Sequence, residues 1–281
     1  MKKVINDFSE LVMFKHSVFS LPFIFIAMLV AADGWFGWRL LILGSLAAVS
    51  ARNFAMGVNR YLDRDIDQLN PRTMNRPSVD GRVSEKQMVW FIGLNALAFV
   101  AIAALINTVA LSLSIPILAV LAAYTLFKRF SPSAHLVLGI SLGLAPIAGE
   151  VAVSATVSQW SIELALGVMF WVAGFDLLYS LQDMEFDKAQ GLHSVPSVFG
   201  ARKTMWIARV FHGLTVIFWF WFVIHAELGL FAMLAVLFSA GMLAFEHYIV
   251  SKDFSRIDKA FFTVNGYLGF LFLLFIILEV S

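Results

Sequence analysis

Hydrophobic residues in this chain come in long unbroken runs, without the stripe of a soluble helix or the alternation of a strand. Nine runs fall at about residues 15–32, 38–58, 87–106, 108–126, 135–155, 162–182, 204–224, 228–249 and 259–279. Leu, Ala, Phe and Val dominate them, and most approach or reach the roughly 20 residues that a helix needs to cross a bilayer. The pattern predicts an all-α membrane protein, a bundle of about nine transmembrane helices with polar caps on the cytoplasmic side. Turn signals separate the runs at Ala32-Asp33-Gly34, Ser131-Pro132-Ser133 and Gly191. Asn107-Thr108 leaves almost no loop between the third and fourth runs, which predicts a tight helical hairpin. The longest polar stretch, Asn59 to Lys86, is too short for a soluble domain. Residues 1–281 are therefore read as one integral-membrane domain. The start, MKKVINDFSELVMFKH, lacks an apolar core and a small-residue cleavage site, so the first span is expected to be retained.

Composition narrows the class. Hydrophobic residues make up 60% of the 281 positions and charged residues 14%, against about 25% charged in a soluble domain. A net charge of +1 and the absence of cysteine exclude disorder and a disulfide scaffold. No domain-wide basic surface exists, so nucleic acid is excluded as a partner. The basic residues are instead polarised. All but Arg39, Arg52 and Arg209 of the 20 Lys and Arg residues fall at the N-terminus or in alternate loops on one side. By the positive-inside rule these lie in the cytoplasm, here of a bacterial inner membrane, with the C-terminus outside.

The acidic residues are clustered too. Asn59, Asp63 and Asp67 follow the second run at i, i+4 and i+8; Tyr179, Asp183 and Asp187 close the sixth with the same spacing. On continuous helices each triplet shares one face, and both lie at the cytoplasmic mouth. A single Asp near a helix end is usually a solvated cap, but two matched pairs facing each other repel unless cations lie between them. Mg²⁺ takes oxygen ligands and is commonly held by a few carboxylates together with substrate phosphates. Asp65 and Glu185 point off these faces. Arg72, Arg76, Lys128 and Arg129 lie on the same side and suit phosphate or carboxylate pairing. Arg64, Arg82, Lys86, Arg202 and Lys203 read as topology signals. Arg52, inside the second run, is a functional candidate by its position or a structural partner of Glu150 or Asp176. His135 is balanced between interfacial bonding and a role at the mouth. His212, Glu246 and His247 read as partners of one another. The 28 Phe and 8 Trp read as packing, lipid-facing and interfacial residues.

These motifs resemble the UbiA superfamily of intramembrane prenyltransferases. The first family motif is matched by Asn59, Asp63 and Asp67, the second by Tyr179, Asp183 and Asp187, and Arg72-Thr73 with Arg76-Pro77 matches the connecting segment. Arg60 departs from the pattern, since many members carry Asp there. The resemblance covers nearly the whole chain and is nearest to the 4-hydroxybenzoate polyprenyltransferase-like branch. Lys15 to Pro22 and Leu181 to Pro196 look like the subgroup of the futalosine route to menaquinone.

The resemblance implies Mg²⁺ held by Asn59, Asp63, Asp67, Asp183 and Asp187, a polyprenyl diphosphate donor whose tail meets membrane lipid, and a small aromatic acid as acceptor. The acceptor it implies is 1,4-dihydroxy-6-naphthoate, with 4-hydroxybenzoate of the ubiquinone route as the alternative. Asp63, Asp67, Asp183, Asp187 and Tyr179 are the catalytic candidates, with Tyr179 offering its ring face to the allylic cation or its hydroxyl to a substrate oxygen. Asn59, Lys15, Arg52, Arg72, Arg76, Tyr124, Lys128, Arg129 and Asp176 are the substrate-binding candidates. Arg129, ahead of Lys15, is expected to pair with the acceptor carboxylate. A cation-coupled membrane transporter is the reading from another class; clusters at one mouth rather than the midplane, and no visible repeat of two halves, weigh against it.

Overall fold

The computed structural model describes residues 2–12, 21–259 and 263–281. These form helices joined by turns, with no strand among the described residues. In chain order they are α1 (Lys2–Leu11), α2 (Leu21–Ala31), α3 (Trp38–Leu62), α4 (Arg64–Asp67), α5 (Glu85–Ile106), α6 (Thr108–Ala123), α7 (Ala134–Ser154), α8 (Gln159–Ser180), α9 (Met184–Ala189), α10 (Val195–His225), α11 (Leu230–Lys252), α12 (Ile257–Lys259) and α13 (Asn265–Glu279). Short 3₁₀ segments extend α6 to Arg129 and α8 to Asp183.

Among the described residues, seven helices are long and apolar enough to cross a membrane. The first and last of the nine expected spans appear as the shorter apolar helices α2, which begins at the edge of the described residues, and α13, which follows the described turn 263–264. The expected hairpin forms at Asn107. Its side-chain Oδ1 accepts from Ala110 N at 2.8 Å, capping α6, and its Nδ2 donates to Val151 O at 2.7 Å, tying the turn to α7. The seventh span begins earlier than the hydropathy suggests. Ser194 caps α10 in a reciprocal box with Ser197, and Gly200 at φ 77° breaks the helical path one turn later. Only a residue without Cβ adopts that backbone freely, so a short interfacial turn is spliced to the membrane helix.

Helix α8 is the central strut. Its Leu164, Val168, Trp171 and Phe175 are buried against Phe23 of α2, Trp219 and Phe222 of α10, and Phe272 of α13. Glycines let its neighbours close in. A Cβ on Gly139 of α7 would lie 2.3 Å from Met169 O of α8, and one on Gly167 would meet the Trp219 ring at 2.2 Å. A second layer, α3, α5 and α6, packs around Phe54, Phe99, Leu118 and Leu121. Between the layers runs a cavity of about 480 Å³, flanked by α2, α3, α5, α6, α7 and α8. Small side chains keep it open, among them Ala47, Ala51, Ala55, Ala103, Ala110 and Ala148.

The contact at Gly139 meets backbone, which cannot swing away. Gly139→Ala is expected to destabilise the α7–α8 seam by about 1–3 kcal/mol, read as a lower Tm in detergent. Gly93→Ala, where nothing lies within 4 Å, is the control and is expected to leave Tm unchanged or slightly raised.

Candidate active site

Both acidic motifs sit where a helix breaks. Helix α3 ends at Leu62, and Asp63 adopts φ −92° and ψ 9° before α4 begins. Helix α8 gives way to the 3₁₀ segment, and Asp183 adopts φ −98° and ψ 3° before α9. These are bridge-region values, frequent at functional sites. The continuous helical face expected for each triplet is thus replaced by a turn at its middle residue. The triplets still converge, because Asn59, Asp63, Asp67, Tyr179, Asp183 and Asp187 all line one end of the cavity. Asp65 and Glu185 are exposed, as expected.

Three of the four motif carboxylates are each met by a cation. Arg72 embraces Asp183 through Nε, 3.0 Å from Oδ1, and through Nη2 on Oδ2. Arg76 Nη1 lies 2.7 Å from both oxygens of Asp67. Lys128 Nζ pairs with Asp187 Oδ1 at 2.7 Å, without the angle of a hydrogen bond. Asp63 accepts from Asn59 Nδ2 at 2.9 Å and sees Arg129 at 3.7 Å. The segment between motifs is shaped for this duty. Asn70 Oδ1 accepts from Arg72 N at 2.9 Å, a local side-chain turn, and its Nδ2 donates to Asp183 Oδ1 at 3.1 Å. Asn70 was missed in the sequence; Asn-Pro-Arg was the available signal, a turn next to a cation. Thr125 was missed as well and receives 3.3 Å from Asn59 Nδ2.

Several expectations change. Arg129 is turned away from the cavity: it holds Asp65 at 2.7 and 2.8 Å and donates to Leu62 O. Its fork is spent on an exposed ion pair and a helix C-terminus, so it staples the first helix break. Arg52 lines the cavity but pairs with neither proposed partner. Glu150 is held by Ser158 and Asp176 by His135 at 2.7 Å. Arg52 Nε has no hydrogen-bond partner among the described residues. Tyr124 lines the cavity beside it. Tyr179 accepts from Arg72 at 3.0 Å, and that guanidinium lies 5.3 Å from its ring centroid; the ring already carries a protein cation. Arg60 points back into the protein, toward Leu11 O at 3.3 Å and Asn59 Oδ1 at 3.0 Å, linking α1 to the first motif. Arg82 fixes the same helix through Glu10 and Asp7. His212, His247 and Glu246 do gather, with the two imidazoles 4.8 Å apart and His212 4.0 Å from Glu246. Lys15 lies outside the described residues.

No group of three or more acidic or histidine side chains is already drawn together as a metal cluster among the described residues. The donor set nevertheless fits a hard cation. Asp187 is fully buried, yet neither of its carboxylate oxygens receives a hydrogen bond. Oxygen donors from both helix breaks face the same space, the chemistry that Mg²⁺ prefers. Burial and the nearby Asp67 charge raise the Asp63 carboxyl to about 6, against the pull of Arg129, Lys128 and Arg60.

Known proteins share this fold. The UbiA prenyltransferase family profile matches residues 20–276. The apo structure of a UbiA homologue from Aeropyrum pernix K1 superposes with a TM-score of 0.86 at 31% identity, covering 95% of this chain and 98% of that one. A UbiA homologue from Archaeoglobus fulgidus, solved with GPP and Mg²⁺, has the same fold at 21% identity, with a TM-score of 0.79 over 98% of this chain and 99% of its own. A 4-hydroxybenzoate octaprenyltransferase of Herminiimonas arsenicoxydans is 29% identical over 249 residues, 86% of this chain and 85% of the relative. That of Burkholderia orbicola is 30% identical over 245 residues, 86% and 84%.

The raised Asp63 value gives a signed test on metal-free protein. The difference between about 6 and the ordinary 3.8 corresponds to roughly 3 kcal/mol of instability when the group is charged. That penalty is present above pH 6 and fades as pH falls from 6 toward 3.8. With chelator present, Asp63→Asn is expected to melt at or above the wild-type Tm near neutral pH, and the advantage is expected to shrink at about pH 5. Differential scanning fluorimetry at the two pH values reads both.

Proposed function

The chain belongs to the UbiA prenyltransferase family, and we propose that it moves a polyprenyl group from a polyprenyl diphosphate onto the ring of a small aromatic acid. One observation carries this reading. A long apolar cavity ends on five oxygen-bearing side chains interleaved with Arg72, Arg76 and Lys128. The apolar length suits a lipid tail bordered by membrane lipid, and the charged end suits its diphosphate. Asn59, Asp63, Asp67, Asp183 and Asp187 would hold Mg²⁺. When bound, the ion supplies positive charge to the diphosphate and promotes loss of that group.

The protein's own residues do the rest. Arg72, Arg76 and Lys128, now on carboxylates, exchange onto diphosphate oxygens and stabilise the charge that grows as the C–O bond breaks. Tyr179 orients Arg72 through its hydroxyl and stacks beneath it. The cavity walls exclude water from the allylic cation, so that ring attack outruns hydrolysis. Arg52 replaces Arg129 as the partner for the acceptor carboxylate. It stands seven residues before Asn59 on one helix, about 10 Å from the charged rim, with Nε unpaired. Tyr124 flanks it.

Named relatives of about 30% identity favour 4-hydroxybenzoate as acceptor. The Leu181 to Pro196 segment keeps 1,4-dihydroxy-6-naphthoate as the second reading. The polarised basic loops support a bacterial inner membrane with the N-terminus and the mouth in the cytoplasm, and one membrane domain over 1–281.

An acceptor panel tests this directly. Mg²⁺-dependent diphosphate release with 4-hydroxybenzoate, 1,4-dihydroxy-6-naphthoate and 1,4-dihydroxy-2-naphthoate is expected to rise with an aromatic acid and to yield a prenylated ring by mass spectrometry. Cation flux without diphosphate release contradicts the enzyme reading and returns the transporter. Arg52→Ala is expected to raise acceptor KM about 10- to 100-fold, as loss of a charged pair does, with little change in the KM for prenyl diphosphate.

A further inference from the structure

One carboxylate in the cavity has no lysine or arginine partner among the described residues. Asp176 lies on α8, three residues before Tyr179 and seven before Asp183, on the same helical face. It lines the cavity about 10 Å along the axis from Asp183. Arg52 lies about one helical turn deeper on the facing helix, eleven residues before Asp63. Its Oδ2 is 2.7 Å from His135 Nδ1. No hydrogen bond to Oδ1 is recorded among the described residues, and the side chain is 24% exposed, against 8% for His135. His135 is in turn fixed. Val195 N approaches Nε2 at 3.4 Å, which makes Nε2 the acceptor and leaves the ring proton on Nδ1, directed at Asp176. The imidazole therefore has both nitrogens occupied, while the Asp176 carboxylate lines the same cavity as Arg52 and the charged rim with one oxygen left for a ligand.

Prenylation of a ring requires such a group. The C1–O bond of the donor breaks and its electron pair leaves on the diphosphate. A ring electron pair forms the new C–C bond, and that ring carbon must then lose its hydrogen as a proton for aromaticity to return. At the rim Asp67, Asp183 and Asp187 are paired with cations and Asp63 accepts from Asn59 Nδ2, while Val172 and Phe175 line the cavity beside Asp176.

We propose that Asp176 is the proton acceptor of the transfer, with Oδ1 taking the ring proton, and that His135 is a positioning residue that fixes the carboxylate through Oδ2. The C–H electron pair returns to the ring, so the step needs no further reactant, and the proton leaves by the mouth after product release. The inference rests on the aromatic-transfer reading above.

The test is a kinetic isotope effect with acceptor deuterated at the ring position that is prenylated. Wild type is expected to show none, because loss of the diphosphate is slower than proton loss. Asp176→Asn is expected to lose about 100-fold in kcat, the usual worth of a positioned base, and to reveal a primary isotope effect, with KM for prenyl diphosphate within about threefold of wild type. Asp176→Glu is expected to restore part of kcat and to suppress the effect. His135→Ala is expected to show the effect with a smaller loss, about 10-fold. A slow Asp176→Asn enzyme with no isotope effect, or one with unchanged kcat, overturns the assignment. If Asp176→Asn does not fold, His135→Ala and Asp176→Glu decide by the same readout, and no isotope effect in either overturns it. If wild type prenylates no aromatic acid, the transfer reading fails and this assignment falls with it. Wild-type turnover with unaffected variants sinks the assignment alone.

Discussion

Carboxylates cannot be crowded into the end of an apolar bundle without countercharge, and this constraint organises the rest of the structure. Asp67, Asp183 and Asp187 are buried, where an unpaired charge costs several kcal/mol. The protein answers with one cation for each: Arg76, Arg72 and Lys128. The connection from Asn59 to Lys86 is long because it must carry two of those cations across the mouth. Asn70 aims one of them, and Arg129 and Arg60 secure the helix break that begins the segment. The same pairs explain how one site can rest without substrate and still attract it. A diphosphate bound with a metal ion offers the arginines new anionic partners and offers the carboxylates a new cation.

The two helix breaks give that exchange its geometry. Asp63 and Asp183 take nearly the same backbone turn on facing helices, so each motif folds around the mouth instead of running past it. Behind them, α8 is packed tightly by aromatic rings and glycine contacts on one side and left open by alanines and other small side chains on the other. A rigid strut beside an open cavity keeps the rim fixed. The membrane setting follows from the seven long apolar helices among the described residues.

Much of this was legible in the sequence because hydrophobic run length and motif spacing are local signals. Most span boundaries fall within a few residues of the helices, and the Asn107 hairpin and the two acidic motifs are where the pattern put them. What the sequence hid is non-local. Nothing in the run around Lys128 and Arg129 reveals that adjacent cations face opposite ways, one into the cavity and one onto Asp65. The spacing of Asn59, Asp63 and Asp67 suggested one helical face, because periodicity carries no mark of a turn at Asp63. Arg52 was noticed for its place in a span, but its two suggested partners proved committed elsewhere, to Ser158 and His135. The start of α10 was misjudged because Ser194 and Gly200 act through capping and backbone freedom, neither of which hydropathy reports.

The central claim is that the ion-paired rim is a diphosphate and metal site. A structure with Mn²⁺ and a polyprenyl thiolodiphosphate, with the metal located by anomalous scattering, tests it most directly. Manganese is expected among Asp63, Asp67, Asp183 and Asp187, with Arg72 and Arg76 swung from their aspartates onto the diphosphate and the chain running down the alanine-lined cavity. Metal and diphosphate bound elsewhere, with the three ion pairs intact, would contradict it.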